Sequence, residues 1–132
     1  MVETRLWGRT AVWVLAAASL SCGGGDDSSS PPTNPTTNPY TVTISGSGIV
    51  GPKELTVPPG SRVLFANNDS RRHDMTSDPH PDHLDCPELN KVGLLNPGQR
   101  NETENLVTVR TCGYHDHDDP NNVNLRGSIT IR

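Results

Sequence analysis

The chain has 132 residues, of which 31% are hydrophobic and only 4% aromatic, and a formal charge of −4. That length accommodates one domain rather than several. The acidic balance, with no basic stripe and no interleaved aromatics, argues against a nucleic-acid surface.

The first element predicted is an export signal over residues 1–21. Arg5 and Arg9 precede an apolar run, residues 11–20, which is too short to span a bilayer comfortably and has no second hydrophobic segment behind it. The run ends in Ser19-Leu20-Ser21-Cys22 and is followed by Gly23-Gly24-Gly25-Asp26-Asp27. This resembles a bacterial lipoprotein signal, which implies a lipidated Cys22 and a location at the bacterial cell envelope, in the periplasm or on the outer surface. The membrane is then reached by a lipid anchor only, each buried methylene contributing about 0.8 kcal/mol. An ordinary cleaved signal peptide is the alternative. Residues 22–39 are nearly all Gly, Asp, Ser, Pro, Thr and Asn. With no apolar side chains to bury, they are predicted to form a flexible linker.

The folded domain is predicted over 40–132. Tyr40-Thr41-Val42-Thr43-Ile44 alternates at period two, as a half-buried strand does. Leu55-Thr56-Val57 alternates again and stops at Pro58-Pro59-Gly60, a turn signal. Arg62 to Ala66 is the next strand, closed by Asn67-Asn68-Asp69-Ser70. A long polar segment, 71–91, follows; within it, Pro87 to Lys91 has the makings of one helical turn. Leu94-Leu95-Asn96-Pro97-Gly98 is another strand-to-turn step, and Leu106 to Val109 and Gly127 to Ile131 complete the strands. Several short strands separated by Pro/Gly turns predict an all-β, antiparallel β-sandwich.

The chemistry concentrates in Arg110-Thr111-Cys112-Gly113-Tyr114-His115-Asp116-His117. A cysteine and a histidine three residues apart, read as lying on a loop before the last strand, offer a thiolate and an imidazole to a soft transition metal. No nucleophile elbow, phosphate loop or paired-carboxylate arrangement accompanies them, so a carrier or binding protein is expected rather than an enzyme.

Four segments, in order, resemble the cupredoxins, the plastocyanin-like small blue-copper proteins. They are Val57 to Val63, Phe65 to His73, Leu94 to Gln99, and Cys112 to His115 with Leu125 to Ile131. The resemblance implies a Greek-key β-sandwich and one copper ion held by His73, Cys112 and His115. Together with the export signal, it implies an exported, monomeric one-electron carrier that serves a redox protein partner or a copper donor or acceptor. The position where the family places an axial methionine is Leu125, which cannot coordinate; His117 is then the candidate for a fourth ligand.

Cys86 opens the alternative. In an oxidising compartment Cys86 and Cys112 can pair, closing a loop that contributes about 3 kcal/mol and consuming the thiolate. The protein is then a copper-handling or structural module without electron transfer, and any metal falls to His73, His80, His83, His115 or His117. His80 and His83, set among Asp78, Asp82 and Asp85, read either as a solvated loop or as a further copper or zinc site.

Overall fold

A computed structural model describes residues 38–132. The predicted signal over 1–21, Cys22 and all of the linker except Asn38 and Pro39 lie outside the described residues. Asn38 is tied into the domain. Its Oδ1 accepts from the Tyr40 amide at 2.9 Å, and its Nδ2 donates to the Arg62 carbonyl at 3.1 Å and to Glu102 at 3.0 Å. Among the described residues no helix is long and apolar enough to cross a membrane.

Among the described residues, nine strands form two sheets. One contains β1 (Thr41–Ile44), β2 (Val50–Gly51), β4 (Leu64–Asn67) and β7 (Arg100–Glu102), in the order β2-β1-β4-β7. The other contains β3 (Glu54–Val57), β5 (His73–Ser77), β6 (Gly93–Leu95), β8 (Arg110–Asp116) and β9 (Gly127–Ile131), in the order β3-β9-β8-β5-β6. The helical content among the described residues is two 3-10 turns, Pro87–Lys91 and Val123–Leu125.

Pairing is antiparallel except that β1 runs parallel to β4 and β3 parallel to β9. Parallel neighbours need a crossover. Here the chain passes from one sheet to the other between them, so spatial neighbours are not sequence neighbours.

The core lies between the sheets. Alternation puts Val42 and Ile44 of β1 inward, and they meet Val57, Met75, Leu95, Ile129 and Ile131 of the other sheet. Phe65 and Tyr114 pack edge to face across the gap, with centroids 5.2 Å apart at 89°, a geometry worth roughly 0.5–1.5 kcal/mol beyond burial. Gly127 leaves room for this: a Cβ there would run into the Tyr114 hydroxyl and the Lys53 carbonyl.

Two strands differ from the sequence reading. Of the strand expected over Leu106 to Val109, only Leu106 pairs, in an isolated bridge with Ser61, and Val107 and Val109 are exposed. The strand starts at Arg110 and runs through Cys112 and His115, where the sequence predicts a loop. The polar segment 71–91 also opens with a strand, β5, whose inward residues are His73, Met75 and Ser77. Two polar inward positions out of three hide the hydrophobic alternation that marks a strand.

Candidate metal centre

The strand assignment of β8 decides which side chains can meet. Successive residues of a strand face opposite sides. Cys112, Tyr114 and Asp116 therefore share the inner face and Gly113 and His115 the outer one, and His117 follows in the turn just past the strand. Cys112 and His115, three apart, point away from each other.

On the inner side, Cys112 is joined to Cys86 in a disulfide, and both residues are fully buried. The thiolate expected from the sequence is therefore replaced by the bridge. His73 is buried as well, with each ring nitrogen aimed at a carboxylate: Nε2 lies 3.0 Å from Asp69 and Nδ1 lies 2.7 Å from Asp116. Neither nitrogen is left over for a metal. The His73 hydrogen bond, helped by the Ser70 amide and Arg71 and opposed by desolvation, pulls the Asp69 carboxyl down to about 2. Leu125 sits in the hydrophobic core. The expected trio of His73, Cys112 and His115 is thus not assembled; His115 alone belongs to a cluster of imidazoles.

That cluster is His80, His83, His115 and His117, each offering one ring nitrogen, all within 4.8 Å of one another. His115 comes from the outer face of β8, and His117 from the turn that directly follows the strand. His80 and His83 come from the loop that leaves β5 and folds back over that face. This loop is built by its own hydrogen bonds. The Asp78 amide donates to the Gly113 carbonyl at 2.9 Å, the His83 amide to Pro79 at 2.7 Å, and the Asp85 amide to Asp78 at 2.9 Å. Ser77 Oγ and Asn90 Nδ2 both donate to the His83 carbonyl, at 2.8 and 2.9 Å. The loop then runs into Cys86, whose bridge to Cys112 ties it to β8.

Two of the rings have a fixed orientation. His115 Nδ1 donates to Asp78 Oδ1 at 2.6 Å, and His83 Nδ1 donates to the Ser77 carbonyl at 2.8 Å. A proton on Nδ1 leaves the Nε2 lone pair of each ring facing the cluster. His115 Nε2 is buried and has no hydrogen-bond partner, an arrangement that a protein interior rarely leaves uncompensated. His83 Nε2 lies 3.0 Å from His117 Nδ1. Burial pushes the His115 pKa below its ordinary 6.5, Asp78 opposes this, and His83 and His80 add to it. The ring is thereby kept neutral, the form that ligates a metal.

The residues fit a transition-metal ion. Imidazoles suit copper and zinc, and the carboxylate behind His115 is the usual support for a ligating histidine. A metal–nitrogen bond of about 2 Å requires donors roughly 3–4 Å apart, close to the spacing present. An ion would also supply the partner that His115 Nε2 lacks. Gly113 matters here, because a Cβ on that outer-face position would fall 2.9 Å from Asp78 Cγ and 3.1 Å from its Cβ. Glycine is what lets Asp78 lie across the strand and reach His115.

No family model matches the sequence, and no curated protein matches it. Solved structures do match the fold. A purple cupredoxin from Nitrosopumilus maritimus superposes with a TM-score of 0.57 at 23% identity, over 70% of this chain and 99% of that one. The fold is that of the cupredoxins. Oxidised plastocyanin from Dryopteris crassirhizoma gives 0.55 at 20% identity, over 70% of this chain and 100% of that one. A copper-containing nitrite reductase from Thermus scotoductus gives 0.56 at 23% identity, over 71% of this chain but 22% of that one. Within this cupredoxin frame, sequence reasoning found all four histidines but gave His80, His83 and His117 secondary roles. The signal that would have grouped them is His115-x-His117 combined with His80-x-x-His83.

Proposed function

We propose that this chain is an exported, envelope-anchored protein that binds one copper ion through His80, His83, His115 and His117. The observation that carries the reading is the convergence of four imidazole nitrogens within 4.8 Å, one of them buried without a partner, beside a Cys112 committed to a disulfide. The cupredoxin fold and the copper-containing nitrite reductase among its structural neighbours favour copper over zinc. His115 and His83 are the supported ligands, and His80 and His117 complete the set. Copper bound there supplies a Cu(II)/Cu(I) couple.

The exposed position of His80 and His117 favours a copper donor or acceptor as partner. One-electron transfer to a redox protein is the second reading, favoured by the oxidised plastocyanin among the structural neighbours.

The test is titration of the purified full chain with Cu(II), followed by optical and paramagnetic resonance spectroscopy. One copper per chain is expected, with nitrogen hyperfine structure and no intense thiolate-to-copper colour. Thiol titration of the unfolded, unreduced protein should find Cys86 and Cys112 blocked. An intensely coloured centre abolished by Cys112→Ala would restore the thiolate site and refute this one. Voltammetry separates the two readings: a reversible couple that exchanges electrons with a small redox protein supports the carrier.

A further inference from the structure

The four histidines are not equivalent, and the asymmetry has a direction. His115 is 1% exposed, braced by Asp78 at Nδ1. His83 is half-buried, braced by the Ser77 carbonyl, with its own carbonyl gripped by Ser77 and Asn90. The two rings lie stacked, centroids 5.1 Å apart and 28° from parallel. His80 and His117 are exposed. The His80 ring makes no hydrogen bond among the described residues, and the hydrogen bond of the His117 ring is to His83 Nε2, the same atom that faces the cluster.

On the same side a cleft of about 580 Å³ opens, lined by Asp78, Pro79, His80, His115, Pro120, Asn121 and Arg126. The Arg126 guanidinium is about half exposed and stands 3.4 Å from Asp78.

We infer that this is a handover site. His83 and His115 retain the ion, His80 and His117 release it, and an anionic donor group of an acceptor, such as a carboxylate or thiolate, enters through the cleft past Arg126. Each step exchanges one ligand for another: an imidazole–metal bond breaks as the incoming donor–metal bond forms, and no electron moves. The physical basis is entropic and electrostatic. The braced rings have already lost their rotamer freedom and stay aligned when a neighbour leaves. The exposed rings regain freedom and hydration on letting go. Arg126 holds Asp78 through Nη2 alone, and its Nε and Nη1, without a hydrogen bond among the described residues, meet the incoming charge. The inference rests on copper occupying the four-histidine site.

The experiment begins with Cu(II) binding to the full chain; failure there overturns the functional reading itself. The loaded protein is then mixed rapidly with increasing nitrilotriacetate, an anionic chelator, and in parallel with a neutral polypyridyl amine. The expected release rate rises in proportion to chelator concentration. His80→Ala and His117→Ala should each still bind one copper but release it at least about tenfold faster, the scale at which loss of one supporting group weakens a metal site. His115→Ala and His83→Ala should lose stoichiometric binding while circular dichroism shows the fold retained. Arg126→Gln should slow transfer to nitrilotriacetate and leave transfer to the neutral chelator unchanged. A release rate independent of chelator concentration overturns the proposal, as does equal loss of affinity in all four alanine variants. Equal slowing with both chelators in Arg126→Gln refutes the anionic entry route.

Discussion

Asp78 is the residue on which the geometry of the proposed metal centre can be tested most sharply. Its carboxylate accepts from His115 Nδ1 at 2.6 Å, a short charge-assisted bond of the stronger kind. Asp78→Ala removes the bond that sets which His115 nitrogen carries the proton. Loss of such a supporting carboxylate typically lowers metal affinity about 10–100-fold, or roughly 1.4–2.7 kcal/mol of binding free energy. Asp78→Asn retains an acceptor without the charge and should fall between wild type and alanine. Gly113→Ala attacks the same bond from the other side. The Asp78 backbone is pinned by its amide to Gly113 and its carbonyl to Asp85, so the new methyl must push the carboxylate off the strand. Both single variants should lose comparable copper affinity in competition calorimetry. Because they act on one bond, the double variant should be little worse than either alone. Unchanged affinity in Asp78→Ala, or strictly additive losses in the pair, would refute the reasoning.

Serine at both Cys86 and Cys112 is expected to lower stability by about 3.5 kcal/mol for a bridge spanning 26 positions, read as a shift in urea midpoint; an unshifted midpoint contradicts a structural bridge. Acid should weaken the domain in two windows. The depressed His115 pKa contributes stability that is complete above 6.5 and is lost as pH falls through its lowered value; Asp69, held at about 2 against an ordinary 3.8, contributes stability that is complete above 3.8 and is lost toward pH 2. Urea midpoints measured across pH in wild type and Asp69→Asn separate the windows, since the variant should lose only the lower one. Gly127→Ala drives a methyl into the Tyr114 hydroxyl and the Lys53 carbonyl and should cost about 1–3 kcal/mol, visible as a lowered melting temperature; a neutral result contradicts the close approach of β9 to Tyr114.

The fold was legible because its inward positions are mostly Val, Ile and Leu at period two, as in Thr41–Ile44 and Gly127–Ile131. The site was harder to read for a local reason. The sequence Cys112-Gly113-Tyr114-His115 looks like a ligand loop when glycine is taken as a breaker. In the fold that glycine is a strand residue kept small for Asp78. Once the segment is a strand, an odd separation forbids Cys112 and His115 from sharing a metal, and the turn just past its end brings His117 into the cluster with His115. The same parity governs His73, whose inward side chain cannot join an outer-face cluster.

These faces also explain why the histidine cluster lies where it does. On the inner side of the sheet, the positions that the cupredoxin resemblance assigned to copper are filled by two closed units: the Cys86–Cys112 bridge and His73 between Asp69 and Asp116. Neither has a donor to spare, and both are buried from solvent. Each nevertheless helps build the outer site. The bridge fixes the end of the loop bearing His80 and His83. Asp116 Oδ1 accepts from the Asp74 and Asp118 amides at 3.0 and 3.1 Å, setting the turn that carries His117. The inner groups therefore act as framework, and a variant that loosens them, such as Asp116→Ala, should disorder His117 and weaken copper binding although Asp116 is not itself a member of the histidine cluster.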